Sequence, residues 1–197
     1  ECIEDVVVMV ETDTGHTGYG SAPATAVITG ETHGSIIEAV SKFIAPTVIG
    51  RDIANLNQLT NRIQKCIVRN FSAKAAVEIA LYDLFGQLYG APLYRLLGGG
   101  DNVITTDITI SVDYIDKMVA DAREAVDNGF ETLKVKVGKD PALDIERIKA
   151  IFAAVGDRAL VRLDANQGWT PREAIEIMLE LERADLGIEL VEQPVKT

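Results

Sequence analysis

The chain has 197 residues, 47% of them hydrophobic and 25% charged, which marks it as globular rather than disordered and allows one or two domains. A net charge of −11 argues against nucleic acid or an anionic membrane as partner. No apolar run reaches the roughly 18 residues of a membrane span, and no signal peptide is visible. Two isolated cysteines, Cys2 and Cys66, fit a reducing cytoplasm better than a disulfide framework. The chain opens without Met, directly on a strand-like run, and is expected to be part of a longer gene product.

The β-branched run over 6–11, the turn signal Asp13-Thr14-Gly15 and Gly18-Tyr19-Gly20 predict a β-hairpin. The loop over 22–30 is apolar for a loop and reads either as a buried connector or as a segment that packs over a ligand. Thr32 is a candidate N-cap for a helix over 33–43, with Ile36, Ile37, Val40 and Ile44 at helical spacing and Pro46 ending it. A second helix is predicted over 54–68. A third follows Ser72, a good N-cap, and runs to Gly90; its many alanines suit close packing. Glu78 and Asp83 on it read as surface or cap charges. The Leu96-Leu97-Gly98-Gly99-Gly100 stretch marks a boundary, so residues 1–100 read as an α+β module.

From residue 101 the pattern becomes an alternation of strands and helices. Strands are predicted over 103–111, 132–137, 159–164 and 188–192. The intervening helices cover about 114–128, a segment capped by Asp140 with Pro141 at its first position, and one that opens on the capping box Thr170-Pro171-Arg172-Glu173. Such alternation implies parallel strands joined by crossovers. Gly98-Gly99-Gly100 precedes a strand instead of following one, so it is not a dinucleotide-binding loop.

Four polar residues end the four strands at nearly constant spacing. Thr109 is followed 27 positions later by Lys136, then Asp164 and Glu192 at intervals of 28. Carboxyl-terminal strand ends are where (β/α) barrels build active sites. Lys134 and Lys136 share one face of their strand. Two adjacent ammonium groups lower each other's pKa, and a lysine tuned in this way can serve as a proton-transfer base. Taken alone, the pair reads as a solvated edge strand; the repeat favours chemistry. Asp164 and Glu192, on neighbouring strand ends, repel unless a cation intervenes, and their hard oxygens suit Mg²⁺. A metal there would stabilise an enolate while Lys136 removes the proton α to a carboxylate. Lys134 would keep the site electropositive and could touch the substrate. Asn166 would support Asp164 if the strand extends that far. Eight units at this period need about 225 residues for a closed barrel, and about half are present.

Residues 132–138, 163–169 and 190–194, with Lys-x-Lys, Asp-x-Asn and Glu-Gln-Pro in that order, resemble the enolase superfamily in its muconate-lactonizing subgroup. A lysine or histidine base with Mg²⁺ is that superfamily's known chemistry. Within it, Ala22-Pro23, residues 27–30, 72–78, 109–112, 163–169 and 187–194 look most like the dipeptide epimerases of the L-Ala-D/L-Glu type. The resemblance implies a (β/α) barrel, its first half at 101–197, preceded by an α+β capping domain at 1–100. It implies that Lys136 is one of two acid/base lysines flanking the substrate α-carbon. It makes Lys134 and Thr109 substrate contacts, and Asp164 and Glu192 Mg²⁺ ligands. The loop around 25–29 would lie over the barrel mouth, with the first capping strand and its specificity loop preceding Glu1. The third metal carboxylate, the opposing lysine and the acidic motif for the dipeptide amino group are expected beyond Thr197. Proton transfer on both faces of the α-carbon needs two bases, so these 197 residues alone are not expected to complete epimerisation. Rival readings are a muconate-type cycloisomerase or o-succinylbenzoate synthase, a sugar-acid dehydratase, and an inactive fragment. The expected partners are a small-molecule dipeptide and further copies of the chain, with no nucleic acid or membrane.

Overall fold

A computed structural model describes residues 4–101 and 103–196; Cys2 lies outside them. The chain divides into two units, Glu1–Asn102 and Val103–Thr197.

In the first unit, β1 (Asp5–Glu11) and β2 (Thr17–Pro23) form an antiparallel hairpin. Its turn contains Gly15 at φ +83°, in the left-handed region that suits glycine. β2 lies almost in contact with helix α4 (Phe71–Tyr89). A Cβ on Gly18 would stand 2.1 Å from the carbonyl oxygen of Ala80, and one on Gly20 1.9 Å from that of Ala76. Two glycines on one face of a strand, opposite two alanines, therefore let backbone meet backbone. Asp83 is no idle surface charge: it accepts the Tyr19 N–H at 3.0 Å. Glu78 accepts from the Gln64 side chain. Residues Val27 and Ile28, in the apolar loop, are largely exposed, so this segment is not a buried connector.

Thr32 caps α1 (His33–Glu38) through a reciprocal capping box with Ser35. The predicted stop at Pro46 does not occur. A π-helical stretch (Ala39–Ile44) follows, in which Ala45 N–H reaches back to Val40, and the helix resumes as α2 (Ala45–Val48). The widened turn accommodates a proline that would break a regular helix. A 3₁₀ turn (Ile53–Asn55) leads into α3 (Leu56–Cys66). α4 is not capped by Ser72. Asn70 takes the cap position in a left-handed conformation, and the first-turn donors go to Glu31 instead. The buried Glu31 carboxylate accepts from Ser72 N at 3.0 Å, Ser72 Oγ at 2.8 Å and Ala73 N at 3.4 Å. A short α5 (Leu93–Leu96) ends the unit's helices.

In the second unit, β3 (Ile108–Ile110), β4 (Thr132–Lys136), β5 (Leu160–Asp164) and β6 (Ile188–Glu192) form a parallel sheet in sequence order. Helices α6 (Ile115–Asp127), α7 (Pro141–Val155) and α8 (Pro171–Arg183) connect them. Their apolar faces bury Leu133, Val135, Val161 and Leu163 in one core with Met118, Ile148, Ile151 and Ile177. β3 is shorter than predicted. Ile108 pairs with Leu133, so the residues before 107 run past the start of β4 and have no neighbouring strand there to pair with. Among the described residues, no helix is long and apolar enough to cross a membrane.

Replacing Gly20 with alanine drives a methyl group into α4 and should cost about 1–3 kcal/mol, seen as a lower midpoint in thermal melts. A Cβ on Gly34, in α1, would meet nothing within 4 Å, and G34A should leave the midpoint unchanged or slightly raised.

Candidate active site

The site follows from the alternation of β4. Leu133, Val135 and Val137 are buried against the helices, which turns Lys134 and Lys136 to the opposite face. The parallel ladder then sets Lys136 beside Asp164, and Asp164 beside Glu192. Lys136 Nζ donates to Asp164 Oδ2 at 2.6 Å and to Asn166 Oδ1 at 2.9 Å. Lys134 Nζ reaches Glu192 Oε2 at 2.5 Å and Asp164 Oδ2 at 3.1 Å. Asp164 is only 1% exposed, and both lysines are about a quarter exposed.

Two local departures from regular strand complete this geometry. β5 ends at Asp164 instead of extending to Asn166. Asn166 and Gln167 have φ of +46° and +64°, and Asn166 N–H donates to Asp164 Oδ1 at 2.9 Å. Asn166 thus supports the carboxylate through a turn and, from the same turn, holds Lys136. In β6 a register shift opposes Val161 to Ile188 but Arg162 to Leu190, leaving Glu189 as an extra residue. Without this bulge, alternation from Ile188 would turn Glu192 toward the helices. Arg162 holds the bulge, donating from Nε and Nη2 to the two oxygens of Glu189 at 2.7 and 3.2 Å. Its Nη1 also reaches Asp107 at 3.2 Å.

Thr109 pairs in register with Lys134, one side-chain layer below Lys136, so its 27-residue spacing does not give it the phase of the other three. Its side chain is exposed.

The predicted depression of Lys134 by its neighbouring lysine does not occur. The Lys134 ammonium is held above its ordinary pKa by hydrogen bonding to Glu192 and then to Asp164, against the opposing effect of burial. The two lysines do not face each other across empty space; carboxylates sit between them. Burial pushes Asp164 upward, but the Lys136 ammonium, the Asn166 N–H and Lys134 together outweigh it and hold the carboxyl below its ordinary value. Among the described residues, no cluster of three or more His, Cys, Asp or Glu gathers.

Three residues that the sequence reading did not single out underlie the site: Asp144, Arg147 and Trp169. A signal was available, because Asp144 and Arg147 fall on the buried stripe of α7 with Ile148, Ile151 and Val155. Charged residues at core positions need partners.

Successive parallel strands that present lysines and carboxylates in contact at their carboxyl-terminal ends define a (β/α) unit with charged groups gathered where such folds build their sites. A profile of the mandelate racemase/muconate lactonizing enzyme N-terminal domain matches residues 3–98, and an enolase C-terminal domain-like profile matches residues 117–197. The chain belongs to the enolase superfamily, in its mandelate racemase/muconate lactonizing enzyme branch. Within it, the chain is 52% identical over 194 residues to the L-Ala-D/L-Glu epimerase of Clostridium acetobutylicum, covering 98% of this chain and 54% of that one. It superposes on a substrate-liganded L-Ala-D/L-Glu epimerase from Bacillus subtilis with a TM-score of 0.93 at 47% identity, again over 98% and 54% of the two chains. A dipeptide epimerase from Enterococcus faecalis, complexed with Mg and L-Leu-L-Tyr, gives 0.90 at 44% identity, with the same coverage. The chain thus spans about half the length of the curated relatives it matches.

Asp164 should titrate below 3.8 in the metal-free protein. The stability it contributes is present above that pH and lost as pH falls through the lower folded value. Carboxyl-carbon NMR of Asp164 checks this; a midpoint above 3.8 contradicts it.

Proposed function

We propose that these residues carry one half of the acid–base site of a Mg²⁺-dependent dipeptide epimerase, acting on substrates of the L-Ala-D/L-Glu kind. The observation that carries the reading is the convergence of Lys136, Asp164, Lys134 and Glu192 on one sheet face, with each lysine in hydrogen-bond contact with a carboxylate and Asp164 shared by both. The dipeptide epimerases among the relatives, some of them with a substrate or dipeptide bound, support the choice of reaction.

The donor set fits a hard cation. Asp164 and Glu192 both bond the Lys134 ammonium, so positive charge already sits between them. Two carboxylates supply two oxygen ligands for Mg²⁺, which keeps its remaining positions for water and substrate. When bound, Mg²⁺ supplies positive charge against the charge that builds on the substrate carboxylate as the α-proton leaves. Lys136 then takes that proton onto Nζ. Asn166 Oδ1 holds the amine in place. Lys134 contacts the substrate carboxylate, and Thr109, beside it in register, lines the same face. Return of a proton from the opposite face completes inversion and requires a second acid, which the resemblance assigns to a lysine outside these 197 residues.

The test uses protein of the relatives' full length, with L-Ala-L-Glu and Mg²⁺ in D₂O. Wild type should exchange the glutamate α-proton and epimerise. K136A should lose at least about 100-fold in rate with unchanged circular dichroism. Near-wild-type exchange by K136A would remove Lys136 from the role of base. D164N should weaken Mg²⁺ binding in titration calorimetry; equal affinity would contradict Asp164 as ligand. Cyclisation of muconate without dipeptide exchange would favour a cycloisomerase.

A further inference from the structure

We propose that Asp144 is a positioning residue that ties together the ends of four consecutive strands and so holds Lys136 against Asp164. The inference rests on the functional reading of Lys136 and Asp164 given above.

Asp144 lies in the first turn of α7 and is fully buried. Its Oδ2 accepts from Gly138 N at 2.7 Å and from Trp169 Nε1 at 3.1 Å. Its Oδ1 accepts from Arg147 Nη1 at 3.1 Å, and Arg147 Nε donates to the Asp113 carbonyl at 3.2 Å. Two of these bonds come directly from different strand-to-helix loops, and Arg147, in α7 itself, carries the link to a third. Asp113 follows β3, Gly138 stands two residues past Lys136, and Trp169 is five past Asp164. Trp169 carries the link onward, its backbone N–H donating to the Pro194 carbonyl at 3.2 Å, two residues past Glu192.

The loops joined in this way touch at the backbone. A Cβ at Gly138 would stand 2.2 Å from the Ala165 carbonyl oxygen, and one at Gly168 2.1 Å from that of Gly138. Val137 N–H donates to the Asp164 carbonyl at 3.0 Å, the last rung between the two site strands. A movement at Gly138 or Trp169 therefore transmits to Lys136 or Asp164 over a few covalent bonds.

A buried ion pair adds little net stability, since desolvation offsets its attraction and an apolar replacement is often as stable. Asp144 and Arg147 occupy core positions of α7 where leucine or isoleucine would serve packing alone. What the carboxylate adds is direction: it collects donors from two loops at once. Misplacement of reacting groups by about 1 Å can cost 100-fold in rate, and that is the scale on which such a brace acts.

Two variants of the full-length protein test this. W169F keeps the ring bulk and removes the N–H; D144N keeps the volume but turns an amide toward Arg147. We expect amide exchange to quicken in segments 136–139 and 164–169 while α4 is unaffected. We also expect kcat for α-proton exchange to fall about 10- to 100-fold with little change in KM. Wild-type protection and wild-type kcat in W169F would overturn the proposal. A uniform loss of protection across the chain would also overturn it, by reducing Asp144 to a general stabiliser. If D144N does not fold, W169F decides. If wild type itself exchanges no dipeptide α-proton, the epimerase reading falls, and the amide data alone decide: local loosening upholds the brace and unchanged protection discards it.

Discussion

The chemistry of this chain depends on the burial of one face of a parallel sheet. Helices α6, α7 and α8 require Leu133, Val135, Val161 and Leu163 on their side. Strand alternation leaves the other face to whatever lies between. On β4 that is Lys134 and Lys136; on β5 it is Arg162 and Asp164. Neighbouring strands run about 4.8 Å apart, close enough for an ammonium on one to bond a carboxylate on the next. The same apolar demand that builds the core thus sets charged groups side by side on the opposite face.

That face is arranged as charge pairs in two layers. Nearer the start of the strands, Arg162 joins Asp107 and Glu189. At the strand ends, Lys136 and the Lys134 ammonium, which reaches up from the level of Arg162, meet two carboxylates. The layers differ in what they can exchange. Arginine stays protonated at any relevant pH and binds Glu189 through a planar fork, which suits a fixed structural role. Lysine can give up its proton, and its point charge can be replaced by another cation. The lower layer keeps β6 in its bulged register, and the upper layer uses that register.

Much of this was readable from the chain. The alternation after residue 101 and the grouping of Lys134, Lys136, Asp164 and Glu192 on one sheet face follow from apolar spacing and the 28-residue period. Features produced by pairing between segments were not readable. The length of β3 depends on where β4 begins. The place of Thr109 depends on a ladder offset that sequence spacing does not contain. The facing of Glu192 depends on one extra residue in β6. The pKa expectation for Lys134 failed because it weighed the neighbouring ammonium and omitted the Glu192 and Asp164 carboxylates that accept from Lys134. Asp144 lies on a helix, away from the strand ends, but its place on the apolar stripe of α7 was visible in the sequence.

Glu31 has a consequence for how the first unit is made. A helix normally carries its own start signal within a few residues, so its first turn can form as soon as those residues exist. The opening turn of α4 depends instead on a carboxylate 41 positions earlier for Ser72. The central helix of the unit is therefore unfinished as a local object, and its amino-terminal donors stay in water until the segment following the hairpin arrives. Nineteen residues of helix are thereby tied to a loop of high sequence separation. Hairpin, connecting loop and α4 should form in one cooperative event, not as independent pieces that later dock.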